Sequence, residues 1–176
     1  MNEEIRAIEK NDTWELVDLP QGKEVIGVKW VYKTKSNVEV KIERHKERLV
    51  VKGYKQQQVR DYEETFTPVA RMETMWIVLS ITTQQKWKVY QMDVKSTFLN
   101  GVLKEEVYVE QPRGYEIKGQ EHKVCKLKKS LYGQKQAPRA WYNIIDAYLR
   151  ENGFEKCDGE HTLYIKKNDG KILIVV

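Results

Sequence analysis

The sequence of 176 residues is 40% hydrophobic and 32% charged, which suffices for one globular domain with its own core or for part of a larger one. Its formal net charge of +5 is a moderate bias toward polyanionic partners. No apolar run is long enough to span a membrane, and the charged start is typical of a helix rather than of a signal peptide. The two cysteines, Cys125 and Cys157, lack metal-type spacing and predict reduced thiols in an intracellular protein.

The first elements are short. Residues 3–10 predict a helix with Ile5 and Ile8 on one face, and residues 14–17 predict a strand. A second strand over residues 25–35 and a third over about residues 40–54 follow, joined by a turn at Ser36-Asn37. Together these two strands predict an antiparallel ribbon.

The predicted ribbon is unusually basic. Only Glu39, Glu43 and Glu47 oppose its positive charges, which are Lys29, Lys33 and Lys35 on one arm and Lys41, Arg44, Lys46, Arg48, Lys52 and Lys55 on the other. Two interpretations stay open at this point. The charges can keep exposed strands from associating edge to edge, or they can contact phosphates.

A polar segment and a helix come next. Residues 56–68 are irregular, and their acids Asp61, Glu63 and Glu64 favour a solvated loop over a metal site. Residues 73–85 predict a helix. Apolar residues at helical spacing predict that this helix packs into the core; they are Met72, Met75, Trp76, Leu79 and Thr83.

The stretch from Gln91 to Gly101 joins a carboxylate to a turn. Residues 87–90 alternate as a strand does, and Asn100-Gly101 is a strong turn signal. Asp93 therefore lies near the end of a predicted strand, with Phe98 five residues on. A strand-end carboxylate can hold a divalent metal near a phosphate, or it can simply cap a turn, and the local sequence leaves both open.

A basic segment contains a loop that leads into a helix. After a predicted strand at residues 105–110, residues 122–145 contain no acid. Within them Gly133 predicts a turn, and Pro138 occupies a favoured position in the first turn of a helix whose C-terminal cap is Gly153. The positive end of a helix beside a glycine turn can bind an anion, although an ordinary loop–helix junction has the same pattern.

The last elements are two strands, residues 162–166 and 172–176, joined by a hairpin turn at Asn168-Asp169-Gly170. Five consecutive apolar residues predict that the last strand is buried on both faces. A domain rarely stops inside such a strand. We therefore expect the sequence to be a fragment, or its reading frame to end early.

Five motifs occur in one order along the chain. They are VKWVYKTK (28–35), RLVVKGY (48–54), QMDVKSTFLNG (91–101), VYVEQPRGY (107–115) and SLYGQKQAPRAWY (130–142). From about residue 3 to residue 176, the sequence resembles the reverse transcriptase of copia-type retrotransposon polyproteins. Several long motifs in a fixed order make this resemblance specific.

The resemblance implies an α+β fold of the right-hand polymerase type, with an antiparallel sheet and packed helices. Residues 14–86 would be mainly fingers and residues 87–176 mainly an incomplete palm, with thumb and ribonuclease H absent. The implied activity is RNA- and DNA-directed DNA synthesis. The implied partners are an RNA or DNA template with its primer, deoxynucleoside triphosphates and the remainder of the polyprotein, with no membrane. Retroelement replication also implies a cytoplasmic particle.

The resemblance also assigns roles to residues. Asp93 and the backbone carbonyl of Val94 match ligands of the two Mg²⁺ ions that stabilise the attacking and leaving oxygens. Phe98 matches a steric gate that excludes a 2′-hydroxyl, and Arg48 and Lys46 match residues that hold the triphosphate. Gly133, Lys135 and Gln136 match a segment against the incoming nucleotide and template, and the residues matched to nucleic-acid contacts are Lys29, Lys33, Lys35 and Lys52.

Some family features are missing. The family's other two metal-binding carboxylates are adjacent in a Tyr-x-Asp-Asp hairpin, which this sequence does not contain, and Asp158 and Asp169 lie in turns outside that motif. One carboxylate cannot hold two Mg²⁺ ions, so the chain is expected to be inactive in isolation. The family has other residues, two of them glycines, at or near Gln134, Thr97, Trp76, Val40 and Arg60. Two alternatives therefore stand beside the enzyme: a non-catalytic nucleic-acid-binding remnant, and a pseudogene product of a decayed element.

Overall fold

The computed structural model describes residues 1–36 and 42–176, with side chains for residues 1–34 and 45–176. Predictions that fall on the Ser36-Asn37 turn, on residues 37–41 and on the side chains of Lys35, Glu43 and Arg44 lie outside the described residues. The chain divides into two compact units, Met1–Thr65 with Ser96–Trp141, and Phe66–Lys95 with Tyr142–Val176. Helices and largely antiparallel sheets confirm the predicted α+β class.

The first unit is built on a four-stranded sheet. After helix α1 (Asn2–Lys10), strand β1 (Trp14–Val17) pairs with a later strand, Val124–Lys129, which is sixth in chain order (β6). β6 also pairs with β5 (Val102–Val109), and β5 pairs in parallel with the two-residue strand β2 (Val25–Ile26). α1, β1 and β5 confirm their predictions, whereas β6 was not predicted.

The predicted strand over residues 25–35 is wrong as one strand, because Gly27 divides it. The carbonyl of Ile26 accepts a hydrogen bond from the Glu110 N–H, while the carbonyl of Gly27 accepts one from the Lys52 N–H. The hydrogen-bond partners therefore change at Gly27. Beyond it, β3 (Val28–Ser36) leaves the four-stranded sheet and, among the described residues, pairs only with β4 (Ile42–Val51).

Strands β3 and β4 confirm the antiparallel ribbon, and their register separates its two faces. Leu49 lies opposite Trp30, and both belong to the apolar face packed in the core. Arg48 lies opposite Val31, and Lys46 lies opposite Lys33, on the other face. Alternation along the two strands thus places basic side chains away from the core.

The core of the first unit joins α1, both sheets and the loops that follow them. Its buried members are Ile5, Ile8, Ile26, Leu49, Val51, Leu99, Val107, Val109, Cys125, Leu127 and Leu131. Each large apolar side chain buried there contributes about 1.5–3 kcal/mol. Cys125 and Cys157 are free thiols, as predicted. Burial raises the pKa of Cys125 to about 12, so this thiol is unreactive at neutral pH.

The second unit contains helix α2 (Met72–Gln84), most of helix α3 (Ala137–Glu151) and a three-stranded sheet. β7 (Glu155–Lys156), β8 (Tyr164–Asn168) and β9 (Lys171–Val175) pair antiparallel in that order. Gly153 has a φ of +78° and its N–H donates to the Arg150 carbonyl, which confirms the predicted C-terminal cap. Positive φ at Asp169 and Gly170 confirms the hairpin turn.

Three burial or strand predictions in this unit are wrong. α2 forms, but its apolar stripe is not in the core: Met72, Met75, Trp76 and Leu79 are exposed, Trp76 by 63%. Residues 87–94 form no strand, and β9 is only half-buried at best. Periodicity indicates an apolar face but not a neighbour for it. Among the described residues, no strand pairs with residues 87–94, and β9 pairs along one edge only.

In the part of the chain that the structure describes, no helix is long and apolar enough to cross a bilayer.

Val59 adopts a left-handed backbone, with a φ of +72°. Its side chain is 86% exposed and so gains little from packing. A branched residue is strained in this region, so Val59→Gly should raise the free energy of unfolding by about 1 kcal/mol. Urea denaturation measures the change.

Val69→Gly is the matched control, since Val69 is equally exposed and its φ is not positive. This substitution should leave stability unchanged or slightly lower it. A loss of stability in Val59→Gly as large as that in Val69→Gly would contradict strain at residue 59.

Candidate functional site

The loop of residues 131–136, which joins β6 to α3, lies against the end of β4. The Val51 N–H donates a hydrogen bond of 2.8 Å to the Tyr132 carbonyl. Gly133 has a φ of +88°, and a Cβ there would overlap the Val51 carbonyl oxygen. The absence of a side chain at Gly133 therefore allows two backbones to touch. This 131–136 loop confirms the predicted glycine turn before a helix.

The Tyr132 ring contacts two predicted site residues from different elements. The Arg48 guanidinium carbon lies 4.8 Å from the Tyr132 ring centroid, within cation–π range. The Phe98 ring meets Tyr132 edge to face, with 4.9 Å between centroids and an interplanar angle of 74°. Arg48 and Phe98, fifty residues apart in the chain, thus flank one aromatic ring.

Phe98 is carried by a short 3₁₀ helix, Thr97–Asn100. Leu99, next to it, is buried in the core. The buried Ser130 hydroxyl donates a hydrogen bond to the Phe98 carbonyl, and the Ser130 N–H donates one of 2.7 Å to the Gly101 carbonyl. These bonds fix the backbone of Phe98 against the start of the 131–136 loop, while its ring stays half-buried.

The other end of the 131–136 loop is held by Gln56. Its amide oxygen accepts a 2.9 Å bond from the Lys135 N–H, and its amide nitrogen donates 3.0 Å to the Gln136 side chain. Gln136 is 2% exposed and donates in turn to the Asp61 carbonyl. The Lys135 ammonium donates to the Gln56 carbonyl and the Tyr62 hydroxyl. Both side chains therefore have partners within the protein, Gln136 in its interior and Lys135 at its surface.

Gln134 is also buried. Its side-chain oxygen accepts a 2.8 Å hydrogen bond from the Leu131 N–H across the turn. Its side-chain nitrogen has no hydrogen-bond partner among the described residues. The amide thus closes the turn at one end and leaves a buried donor unsatisfied at the other.

The solvated loop predicted for the acids after residue 56 is wrong for Asp61. Asp61 is buried, accepts a 2.7 Å bond from the Gln57 N–H and pairs with Arg60. Arg60 also pairs with Glu24 at 2.8 Å, and these bonds raise its pKa, with Asp61 the larger cause. Because Asp61 caps its own turn, its oxygens are committed to the fold.

Asp93 and Val94 belong to the second unit and lie outside any helix or strand. The Asp93 side chain is exposed and makes no hydrogen bond or ion pair with the described residues. Within residues 1–34 and 45–176, no three His, Cys, Asp or Glu side chains come together as a metal site. Asp93 is therefore not part of a metal-binding cluster of three or more such side chains in this part of the chain.

Of the predicted nucleic-acid contacts, Lys29 and Lys33 both lie on the basic face of the ribbon with Lys46 and Arg48, because they flank Val31 in the alternation of β3. Lys29 and Lys52 line a cleft with Trp30 and Arg113, whose other walls are Val28, Leu49, Glu110, Gln111 and Glu116. Lys35 has no described side chain.

Sequence reasoning missed three residues that assemble the site: Tyr132, Gln56 and Ser130. Tyr132 and Ser130 lie inside the motif SLYGQKQAPRAWY (130–142), so the resemblance of this motif to the family was the signal that could have identified them. Gln56 lies in an ordinary polar run, and its partners are 79 and 80 residues away. No local pattern reports such a contact.

Comparison with known proteins gives a consistent result. Residues 11–176 match the family model described as reverse transcriptase (RNA-dependent DNA polymerase). The chain is 44% identical over 167 residues to the retrovirus-related Pol polyprotein from transposon TNT 1-94 of Nicotiana tabacum, covering 95% of this chain and 13% of that polyprotein. It is 39% and 38% identical over 177 residues to the Pol polyproteins from transposons RE1 and RE2 of Arabidopsis thaliana.

The two Arabidopsis similarities cover 100% of this chain and 12% of each polyprotein. The chain thus spans about an eighth of the length of these curated relatives. No solved structure matched the chain.

Proposed function

The chain belongs to the reverse transcriptase (RNA-dependent DNA polymerase) family of copia-type retrotransposon Pol polyproteins, and we propose that it binds the incoming deoxynucleotide and the primed template for DNA synthesis. Residues 14–86 would serve mainly as fingers and residues 87–176 mainly as palm, working with the remainder of a polyprotein. The observation that carries the proposal is the network in the first unit. Arg48, Phe98 and the 131–136 loop contact one another through Tyr132, and Gln56 holds the far end of the loop.

Arg48 would hold the triphosphate of the nucleotide. Its guanidinium is always charged and offers several N–H donors to phosphate oxygens. It lies on the basic face of the ribbon near Lys46, which would add a second positive charge. Phosphoryl transfer depends mainly on positioning and on stabilising charge, so a fixed guanidinium beside the triphosphate serves both needs.

Phe98 would select the sugar. A ring held under the sugar leaves no room for a 2′-hydroxyl, so deoxynucleotides bind better than ribonucleotides. Fixing the Phe98 backbone through Leu99 and Ser130 supports this role, because a gate that moves does not discriminate. Gly133, Lys135 and Gln136 would shape the surface against nucleotide and template. The internal hydrogen bonds of Lys135 and Gln136 make the loop rigid.

Divalent metal ions serve the reverse transcriptase family in general. Here Asp93 and the Val94 carbonyl would be ligands, and Mg²⁺ suits such oxygen donors. One carboxylate does not make a two-ion site, and the described residues contain no cluster of three or more His, Cys, Asp or Glu side chains that could hold a metal, so they do not fit a pair of ions. We therefore propose that this chain alone binds nucleotide and template without extending a primer.

Nucleotide binding tests the proposal. The 176-residue chain with a primer–template duplex should bind dGTP more tightly than GTP in a calorimetric titration with Mg²⁺ present. Arg48→Ala should weaken dGTP binding by about tenfold or more, because a charge-assisted contact to phosphate is lost. Arg6→Ala, an exposed arginine on α1, is the matched control and should bind as the wild type does.

Equal binding by the wild type and Arg48→Ala would contradict the role of Arg48, and absence of any nucleotide binding would contradict the proposal. Primer extension measured on the same samples examines catalysis. Extension by the isolated chain that Asp93→Asn abolishes would refute the claim that it does not extend a primer by itself.

A second candidate, a nucleic-acid-binding remnant, is favoured by the basic face of the ribbon. Lys33, Lys46 and Arg48 share that face and can contact phosphates without any nucleotide site. Duplex binding that weakens steeply with salt, together with no preference for dGTP over GTP, would favour this candidate over the first.

A further inference from the structure

Tyr132 has no assigned role, yet its ring is the shared contact of two residues that the proposed function uses. Arg48 lies over the ring face at 4.8 Å, and the Phe98 ring meets it at 4.9 Å between centroids. Both distances fall within the ranges at which a cation or a second ring is attracted to an aromatic ring.

The backbone of Tyr132 is fixed on both sides. Leu131 before it is completely buried, and Gly133 after it presses on the Val51 backbone. The Tyr132 carbonyl accepts the Val51 N–H, which extends the hydrogen bonding of β4 to this loop. The backbone that carries the ring is therefore held against β4.

Arg48 and Phe98 are held in different ways. Arg48 is on β4, while Phe98 is on the 3₁₀ helix anchored by Leu99 and Ser130. Among the described residues, no hydrogen bond, ion pair or ring contact joins Arg48 to Phe98 directly, whereas both contact the Tyr132 ring.

We infer that Tyr132 is a positioning residue that sets both the triphosphate-binding Arg48 and the sugar-selecting Phe98, so that one ring controls nucleotide affinity and sugar preference together. The inference rests on the proposed function, because it concerns how the same site works. It adds a specificity-determining residue that does not itself touch the nucleotide.

Substitution at residue 132 tests the inference. Tyr132→Leu removes the ring, and with it both contacts, so dGTP binding should weaken about tenfold and the preference for dGTP over GTP should fall several-fold. Tyr132→Phe keeps the ring and should restore both properties to near the wild-type level. The probes are dGTP and GTP with Mg²⁺, titrated into the chain with a primer–template duplex.

A double substitution gives a readout that a merely structural role would not produce. If Tyr132 acts on sugar preference through Phe98, then Tyr132→Leu should not change the dGTP/GTP preference further in a Phe98→Ala background, although dGTP affinity should still fall. Additive loss of preference in the double variant would overturn the inference.

A volume-preserving substitution covers the case in which Tyr132→Leu fails to fold. Tyr132→pentafluorophenylalanine keeps the ring but reverses its electrostatic face, so it should weaken dGTP and GTP binding alike relative to Tyr132→Phe. If the wild type binds neither nucleotide, the proposed function itself is contradicted. If the wild type prefers dGTP but the leucine, phenylalanine and fluorinated variants all match it, only the inference about Tyr132 is overturned.

Discussion

Gly133→Ala should lower the free energy of unfolding of the first unit by about 3 kcal/mol, through a strained backbone and an overlap with β4. Gly133 has a φ of +88°, where an L-residue is disfavoured. An added Cβ would also overlap the Val51 carbonyl oxygen and lie 3.2 Å from its nitrogen. Because both neighbours are backbone atoms of β4, neither can rotate away as a side chain could.

The consequence extends to the proposed site. Separating residue 133 from Val51 would break the hydrogen bond from the Val51 N–H to the Tyr132 carbonyl and displace the Tyr132 ring. Nucleotide binding should therefore weaken together with stability. Urea denaturation followed by tryptophan fluorescence measures the first effect, and titration with dGTP measures the second.

Gly114→Ala isolates the contribution of the overlap. Gly114 has nearly the same φ, +83°, but a Cβ there would meet no described atom within 4 Å. Its substitution should cost about 1 kcal/mol, the backbone preference alone. If Gly133→Ala is no more destabilising than Gly114→Ala, the close approach of the 131–136 loop to β4 is contradicted.

Local patterns predicted the elements whose partners are near in sequence. The β3–β4 ribbon follows from strand alternation, and the β8–β9 hairpin follows from Asn168-Asp169-Gly170, where two consecutive positive φ angles are needed. Such signals act over a few residues, so the sequence contains them without information about distant neighbours.

Predictions that depend on distant neighbours failed. The stripe on α2 is present, but the sequence does not say what covers it, and Trp76 is exposed. Residues 87–90 alternate as a strand does, yet a strand needs a partner and the described residues supply none. The sequence around Gly27 predicts one continuous strand. In the structure, the hydrogen-bond partner of the chain changes at Gly27, from the end of β5 to the end of β4.

In the candidate site, too, residues within recognisable motifs were predicted and the contacts between distant residues were not. Its charged and aromatic members, Arg48 and Phe98, are prominent within their motifs and were predicted by resemblance. Tyr132, which contacts both of them, lies within a motif, but the motif does not say which residues its ring meets. Gln56, which holds the far end of the 131–136 loop, has partners 79 and 80 residues away and no local signature. Their roles follow from contacts, so only the folded chain reveals them.

Asp146→Asn should lower the free energy of unfolding of the second unit by about 2 kcal/mol at neutral pH, since it leaves a half-buried cation without its counter-charge. Asp146 is on α3 and its side chain is 19% exposed. One carboxylate oxygen accepts a hydrogen bond of 2.9 Å from the Lys156 ammonium and another of 2.7 Å from the Tyr164 hydroxyl. The other pairs with Arg150 at 3.1 Å. The carboxylate thus ties α3 to the strands β7 and β8.

Dependence on pH distinguishes this network from simple packing. Burial alone would raise the pKa of Asp146, but the hydrogen bonds from Lys156 and Tyr164 outweigh it and hold the pKa below its ordinary value. A lowered carboxyl pKa contributes stability above the ordinary value of about 3.9 and loses it as the pH falls through the folded value. The difference between wild type and Asp146→Asn should therefore be full at pH 7 and shrink below about pH 4.

Asp158→Asn is the matched control, an exposed aspartate in the same unit, and it should leave stability unchanged at both pH values. Urea denaturation at pH 7 and at acidic pH gives the comparison. A difference between wild type and Asp146→Asn that stays constant down to acidic pH would show that the ionised carboxylate does not stabilise the unit. An equal loss in Asp158→Asn would attribute the effect to net charge rather than to the bonds that Lys156, Tyr164 and Arg150 make with Asp146.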